Sequence, residues 1–213
     1  MKTEQTNFWE GDFGKEYTDR NTLTPAELDK LYVEFYGITK KSINSEFMDG
    51  LDRNIRILEV GCNVGQQLCL LQEAGFKNLY GIELQAYAVE KSKSKTKNIN
   101  IIQGSGFDIP FKDGYFDLVY TCGVLIHIHP NDLKKIMGEM HRVTSQYVWG
   151  FEYHDEETKQ INYRGHDGFL WKTDFSKRFS ELHPDLKEVK RKLYPYIAPS
   201  YKGNVDCMYL LKK

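Results

Sequence analysis

Apolar residues along this chain gather in short runs separated by amphipathic stretches, and the two kinds alternate. Ile57, Leu58 and Val60 form a partly β-branched run punctuated by Gly61; Val64, Leu68 and Leu71 then recur at helical spacing, and residues 79–82 form a second apolar run. A helical pattern through Ala86, Ala88 and Val89 follows, then strand-like runs at 99–103 and 116–120, a helix over 131–141 and a strand over 146–152. This alternation predicts an α/β fold built on a doubly wound sheet with helices on both faces. Two further runs, 189–197 and 205–212, flank a turn containing Pro, Gly and Asn, which predicts an antiparallel edge.

Two segments stand outside the alternation. Residues 1–50 read as an amphipathic helical cap beside the sheet: Thr24 and Pro25 open a helix carrying Leu28, Leu31, Tyr32, Phe35 and Tyr36 at helical spacing. Residues 153–187 include YRGHDGFLWKTDF, aromatic, charged and too irregular for a crossover helix. Open α/β sheets build their sites from loops at the carboxyl ends of strands, so this insertion is expected to form a substrate-facing wall.

At 213 residues the chain fits one domain, 1–213, large enough to bury one substantial core. Its 29 basic and 30 acidic residues nearly cancel, so no strong field recruits nucleic acid or an anionic membrane, and a small-molecule substrate is expected. Residues 91–97, KSKSKTK, have no interleaved aromatics and read as a solvated helix end. No apolar run approaches the ~18 residues of a membrane span, and MKTEQTNFWE has no apolar signal core, so the expected compartment is the cytoplasm. Cys62, Cys69, Cys122 and Cys207 lack CxxC spacing and read as reduced thiols, with neither a metal nor a disulfide expected.

The chemistry concentrates between Glu59 and Glu83. Gly61 and Gly65 let the chain reverse and approach a ligand after the first strand, and the following helix points its free N–H groups into the turn. Glu83 ends the second strand 22 residues after Gly61, where nucleotide-binding folds grip ribose hydroxyls. A nicotinamide fingerprint needs a glycine where Asn63 stands. Glu59, just before the turn, is unfavourable to a pyrophosphate but suits a ligand carrying an ammonium and a sulfonium.

On these residues the chain resembles class I S-adenosylmethionine-dependent methyltransferases, whose first motif reads E/DxGxGxG with Asn tolerated at the middle position. The resemblance implies a Rossmann-like seven-stranded sheet of order 3-2-1-4-5-7-6. It also implies cofactor contacts from Glu59, Gly61, Cys62, Asn63, Gly65, Glu83 and Leu84, and from Cys122 and Gly123 at the end of the fourth strand. The family's GDAxxLPF segment corresponds to residues 104–111, with Ser105 replacing the usual adenine-binding acid, Asp108 nearby, Gly106 beside it, and Phe107 either facing the purine or filling the core. No D/N/SPPY motif follows the fourth strand, which argues against methylation of nucleic-acid bases.

Methyl transfer requires chiefly a positioned nucleophile and exclusion of water, with a general base where the acceptor carries a proton. The candidates are His127, His154 and Tyr163, together with Glu152; His127 reads equally as a packed histidine. Arg164 and Lys172, interleaved with Tyr163, Phe169 and Trp171, are candidates for binding an anionic part of the substrate, or are surface charges paired with Asp167 or Asp174. More narrowly, NFWEGDFGKEYTDRN with YRGH and LWKTDF is similar to the pseudaminic acid biosynthesis-associated methylases over essentially the whole chain. That likeness implies a nonulosonic acid sugar or its nucleotide-activated form as acceptor. Tyr17 and Arg20 are expected to close over the methionine moiety, Arg20 on its carboxylate, unless this segment is an aromatic staple to the core. A non-catalytic protein that retains the cofactor pocket is the alternative, and a dehydrogenase conflicts with Asn63.

Overall fold

The computed structural model describes residues 2–213; Met1, the first residue of the expected cap, lies outside them. Four helices precede the first strand: α1 (Glu4–Glu10), α2 (Asp12–Arg20), α3 (Pro25–Tyr36) and α4 (Lys40–Met48). The start of α3 follows from its sequence. Thr24 accepts from the Glu27 N–H while the Glu27 carboxylate accepts from the Thr24 N–H, and Pro25 fits the first turn, where no N–H is needed.

The alternating part comprises β1 (Arg56–Val60), α5 (Gln66–Glu73), β2 (Asn78–Glu83), α6 (Ala86–Lys95), β3 (Asn100–Gln103), β4 (Phe116–Cys122), α7 (Leu133–Val143) and β5 (Thr144–Tyr153). After β6 (Lys159–Gln160), β7 (Trp171–Lys172) and α8 (Phe175–Leu182), the chain ends with β8 (Lys187–Pro195) and β9 (Val205–Lys212). Seven strands form one sheet in the order β3-β2-β1-β4-β5-β9-β8, while β6 and β7 pair separately. Counted among the sheet strands alone, this is the expected 3-2-1-4-5-7-6. The first five sheet strands run parallel and β9 is antiparallel to both neighbours, as the tail predicted.

Each face of the sheet buries its own core. Leu58, Val60, Val119 and Val148 pack against Met137 and Met140 of α7. Ile57, Leu118, Trp149 and Leu210 pack with Leu68 and Leu71 of α5 and with Ile43 and Phe47 of α4. Alternation along β1 therefore leaves Glu59 on the same side as Ile57, beneath the N-terminal helices.

The insertion is more regular than its composition suggests. Residues 175–182 are helical, with Asp174 capping the Lys177 N–H and Phe175 and Phe179 buried one turn apart. Eight residues, set between an aromatic loop and His183-Pro184, show too few turns for the helical period to stand out. Among the described residues, no helix is long and apolar enough to cross a membrane.

Candidate active site

The carboxyl ends of β1, β2, β4 and β5 open into a cavity of about 710 Å³, roofed by α1, α2 and α3 and walled by the insertion. Its floor begins at the β1–α5 turn, where Gly61, Asn63 and Gly65 have φ of 73°, 48° and 82°. Asparagine is one of the few non-glycine residues that adopt this left-handed conformation readily, which explains why Asn63 is compatible with the turn. A Cβ on Gly61 would come within 2.7 Å of Val124, so the turn can lie against the β4 loop only with glycine there. The Glu83 carboxylate accepts the Asn63 N–H and the Gln85 N–H, each at 2.8 Å, and lines the cavity.

Beneath the turn a line of polar groups crosses the sheet face. Glu59 is buried, its Oε2 has no hydrogen-bond partner among the described residues, and burial pushes its carboxyl up to about 8. Lys40 of α4 is wholly buried, with Nζ 3.7 Å from the Phe151 ring centroid, 4.7 Å from that of Tyr32 and 3.8 Å from Cys122 Sγ. The Cys122 thiol also accepts from Gln67 Nε2 at 3.1 Å. Gly123 has φ of 66°, and a Cβ there would meet nothing, so its backbone borders open cavity.

On the opposite side of the turn, Gly104, Ser105, Gly106 and Phe107 line the cavity. Gly106 fits because a Cβ would strike Val60 and Ile136, each at 2.8 Å. The Ser105 hydroxyl accepts the Phe107 N–H at 3.2 Å, while the Phe107 ring joins the hydrophobic core and also reaches the cavity.

The roof is aromatic. The His127 ring lies 4.6 Å from that of Trp9 and 4.8 Å from that of Tyr163. His127 Nδ1 lies 2.7 Å from the Phe169 carbonyl; the proton must be on Nδ1 for that contact to be a hydrogen bond, which leaves Nε2 as the basic atom. Burial pulls its pKa down to about 4, so the ring is neutral at pH 7. Tyr17, also facing the cavity, is raised by burial, with the Tyr163 phenol as the next contributor. Gln85 holds the cap down: its Nε2 donates to the Trp9 and Gly11 carbonyls and its Oε1 accepts from the Thr18 hydroxyl.

Residues 58–147 match the family described as a methyltransferase domain. An uncharacterised methyltransferase of Synechocystis sp. is 31% identical over 88 residues, 41% of each chain. A sterol 24-C-methyltransferase of Pneumocystis carinii is 26% identical over 130 residues, 54% of this chain and 34% of that one. The matched part thus spans less than half the length of either relative. In fold, the whole chain superposes on magnesium protoporphyrin IX methyltransferase of Synechocystis, solved with bound S-adenosylmethionine, with a TM-score of 0.69, 9% identity and 98% of that chain covered.

S-adenosylmethionine is the ligand bound in that Synechocystis structure. The residues at the turn fit it on two observations. A buried, unpartnered carboxylate oxygen on Glu59 suits an ammonium group, and the glycine turn leaves backbone, with no intervening side chain, at the cavity floor. When bound, the cofactor supplies an electrophilic methyl group on a sulfonium.

Most of the residues singled out from sequence come together around this one cavity: Tyr17, Glu59, Gly61, Cys62, Asn63, Glu83, Leu84, Ser105, Gly106, Phe107, Cys122, Gly123, His127, Tyr163, Arg164 and Lys172. Three do not line it. Arg20 lies on the exposed side of α2, paired with Glu16 at 3.4 Å and 5.9 Å from the Phe13 ring, because the helix turns Tyr17 inward and leaves Arg20 in solvent. His154 packs against Glu156 and Arg191, beyond the end of β5. Gly65 faces Thr96 and Ile101, where a Cβ would fall within 3 Å of both, so it serves close packing of α5 on the sheet. Glu152 accepts from the Val124 and Ile126 N–H groups and pins the loop after β4. The residues the sequence reading passed over are Gln85, Gln67, Lys40 and Asp206. Of these, Asp206 left a trace: an acid within a strand otherwise rich in core residues.

Proposed function

We propose that the protein transfers a methyl group from S-adenosylmethionine to a small, polar acceptor, a nonulosonic acid sugar or its nucleotide-activated form. The observation that carries the reading is the single cavity shared by the Glu59–Glu83 turn and the roof of Tyr17, His127 and Tyr163. Glu59 binds the cofactor's ammonium and Glu83 the ribose hydroxyls, while Gly106 and Phe107 border the adenine. Cys122 and Gly123 form the floor under the reacting carbon. Cap and insertion together exclude water: Phe8 stacks on Phe169 at 4.0 Å, and Gln5 Nε2 donates to the Gly168 carbonyl.

His127 is the base for a hydroxyl acceptor, since its Nδ1 proton is tied to the Phe169 carbonyl and Nε2 is left to take the acceptor's proton. Arg164, at the mouth of the cavity, and Lys172, deeper in it, receive the sugar's acidic group. The four unpaired thiols suit a reducing compartment, in keeping with cytoplasmic action. The test is formation of S-adenosylhomocysteine in the presence of a panel of free nonulosonic acids and sugar nucleotides. Cofactor binding without turnover on any of them would favour a second reading, a non-catalytic cofactor-binding protein. That reading has one structural point in its favour: of the two buried candidate bases that line the cavity, burial weakens His127 and backbone N–H groups occupy Glu152.

A further inference from the structure

The cavity continues past Gly123 toward the antiparallel edge of the sheet, and that lobe contains a buried acid with no part in the cofactor site. Asp206 on β9 pairs with Tyr153 on β5, is only 4% exposed and lines the cavity. The Tyr36 and Tyr196 hydroxyls both donate to its Oδ2, whereas Oδ1 has no partner among the described residues. Burying a carboxylate oxygen unpaired is costly, so a ligand that donates to it gains more than it would from an exposed acid.

The surroundings narrow the kind of donor. Lys40 lies on the same side of the sheet, close enough that its charge acts on Asp206, and Lys172 acts from the insertion. Lys172 Nζ donates to Asn204 Oδ1 and sits 5.2 Å from the Tyr153 ring centroid. Two cations against one aspartate disfavour an ammonium ligand and favour a neutral hydroxyl beside an anionic group. The walls are aromatic: the Tyr196 ring lies 6.1 Å from Tyr153, 5.7 Å from Tyr201 and 5.4 Å from Phe35, and all four residues line the cavity. Aromatic walls around one hydrogen-bonding carboxylate suit the apolar face and hydroxyl edge of a pyranose.

We infer that this lobe is the acceptor subsite, with Asp206 Oδ1 accepting a sugar hydroxyl, Tyr153 and Tyr196 packing on the ring, and Lys172 holding an acidic substituent. The inference rests on the sugar reading above and assigns it a place. Asp206 here is a binding residue, and the methyl-accepting atom lies nearer His127.

Titration of the full chain, saturated with S-adenosylhomocysteine, separates the outcomes. The probes are N-acetylneuraminic acid, a uridine-diphosphate sugar and the aromatic amine tryptamine, each against the native protein, Asp206→Asn and Tyr196→Phe. Binding of a sugar probe weakened at least about tenfold by D206N, with S-adenosylhomocysteine affinity unchanged, is the expected result. Y196F, which leaves the acid in place, is expected to change sugar affinity by less than about threefold. Sugar binding that D206N leaves intact overturns the subsite and spares the sugar reading. Binding of tryptamine alone, abolished by D206N, overturns the sugar reading and leaves Asp206 as the acceptor contact. Binding of none of the three overturns both.

Discussion

Glu83 Oε2 accepts the backbone N–H of Asn63 at 2.8 Å, while its Oε1 accepts that of Gln85 at the same distance. One carboxylate at the tip of β2 thus ties the glycine turn to the residue that anchors the N-terminal cap, since Gln85 also holds the Trp9 and Gly11 carbonyls. Glu83→Ala is therefore expected to cost about 2 kcal/mol of stability by stranding two partly buried N–H groups. It should also weaken S-adenosylmethionine by more than about tenfold, because it loosens both floor and roof of the pocket. Calorimetric titration and thermal unfolding of the same variant check both parts.

Gly14 makes a separate prediction about the cap. A Cβ there would lie 1.9 Å from the Trp9 carbonyl oxygen and 2.6 Å from Gln85 Nε2, so α1 and α2 can fold together on Gln85 only with glycine. Gly14→Ala is expected to destabilise by about 1–3 kcal/mol, as overpacking does, and to raise amide exchange across residues 4–20. Gly138→Ala, on α7 with nothing within 4 Å of the added atom, is the control and should be neutral or stabilising by about 0.5–1 kcal/mol.

His127 sits between Trp9 and Tyr163, with Nδ1 on the Phe169 carbonyl. If it removes the acceptor's proton, His127→Gln should lower kcat about a hundredfold while leaving the cofactor dissociation constant within about twofold. Equal losses of cofactor affinity and rate would instead mark a packing role. Arg164→Ala, by contrast, should raise KM for an anionic acceptor about tenfold with little change in kcat, and the effect should shrink with added salt because Arg164 is exposed.

The parallel core of the fold was legible because buried strands and amphipathic helices alternate there with little interruption, from Ile57 to Glu152. The glycine turn, Glu59 and Glu83 were legible for a related reason: their spacing is set by one strand and one helix, which are local in the chain. What escaped depends on distant elements. Asp206 belongs to the cavity only because β9 inserts antiparallel beside β5, a relationship of topology rather than of period. Arg20 was expected to act with Tyr17 three residues earlier on α2; it is exposed and pairs with Glu16, a side-chain placement that sequence spacing does not specify. Helix α8 was missed because eight residues give the helical period too little room.

The remaining prediction concerns pH and follows from Glu59. Burial moves its carboxyl from 4.5 to about 8, so in the free protein at pH 7 it is mostly protonated. Binding a cationic ammonium requires the ionised form, so cofactor binding releases a proton. Affinity should therefore rise with pH from about 6 to 8, approaching tenfold per unit well below the folded value, and level off above it. The folded state also keeps a proton that the unfolded chain gives up near 4.5, so Glu59 makes stability fall as pH rises from 4.5 to about 8. Glu152, raised to about 7, and Asp206, raised to about 6, act in the same direction on stability over narrower windows. Glu59→Gln isolates the effect: it should flatten the pH dependence of cofactor affinity, lower the affinity at pH 8, and remove part of the stability loss between pH 5 and 8. Calorimetric titration in two buffers of different ionisation enthalpy counts the released proton directly, and proton release that persists in the Gln variant would place its source elsewhere.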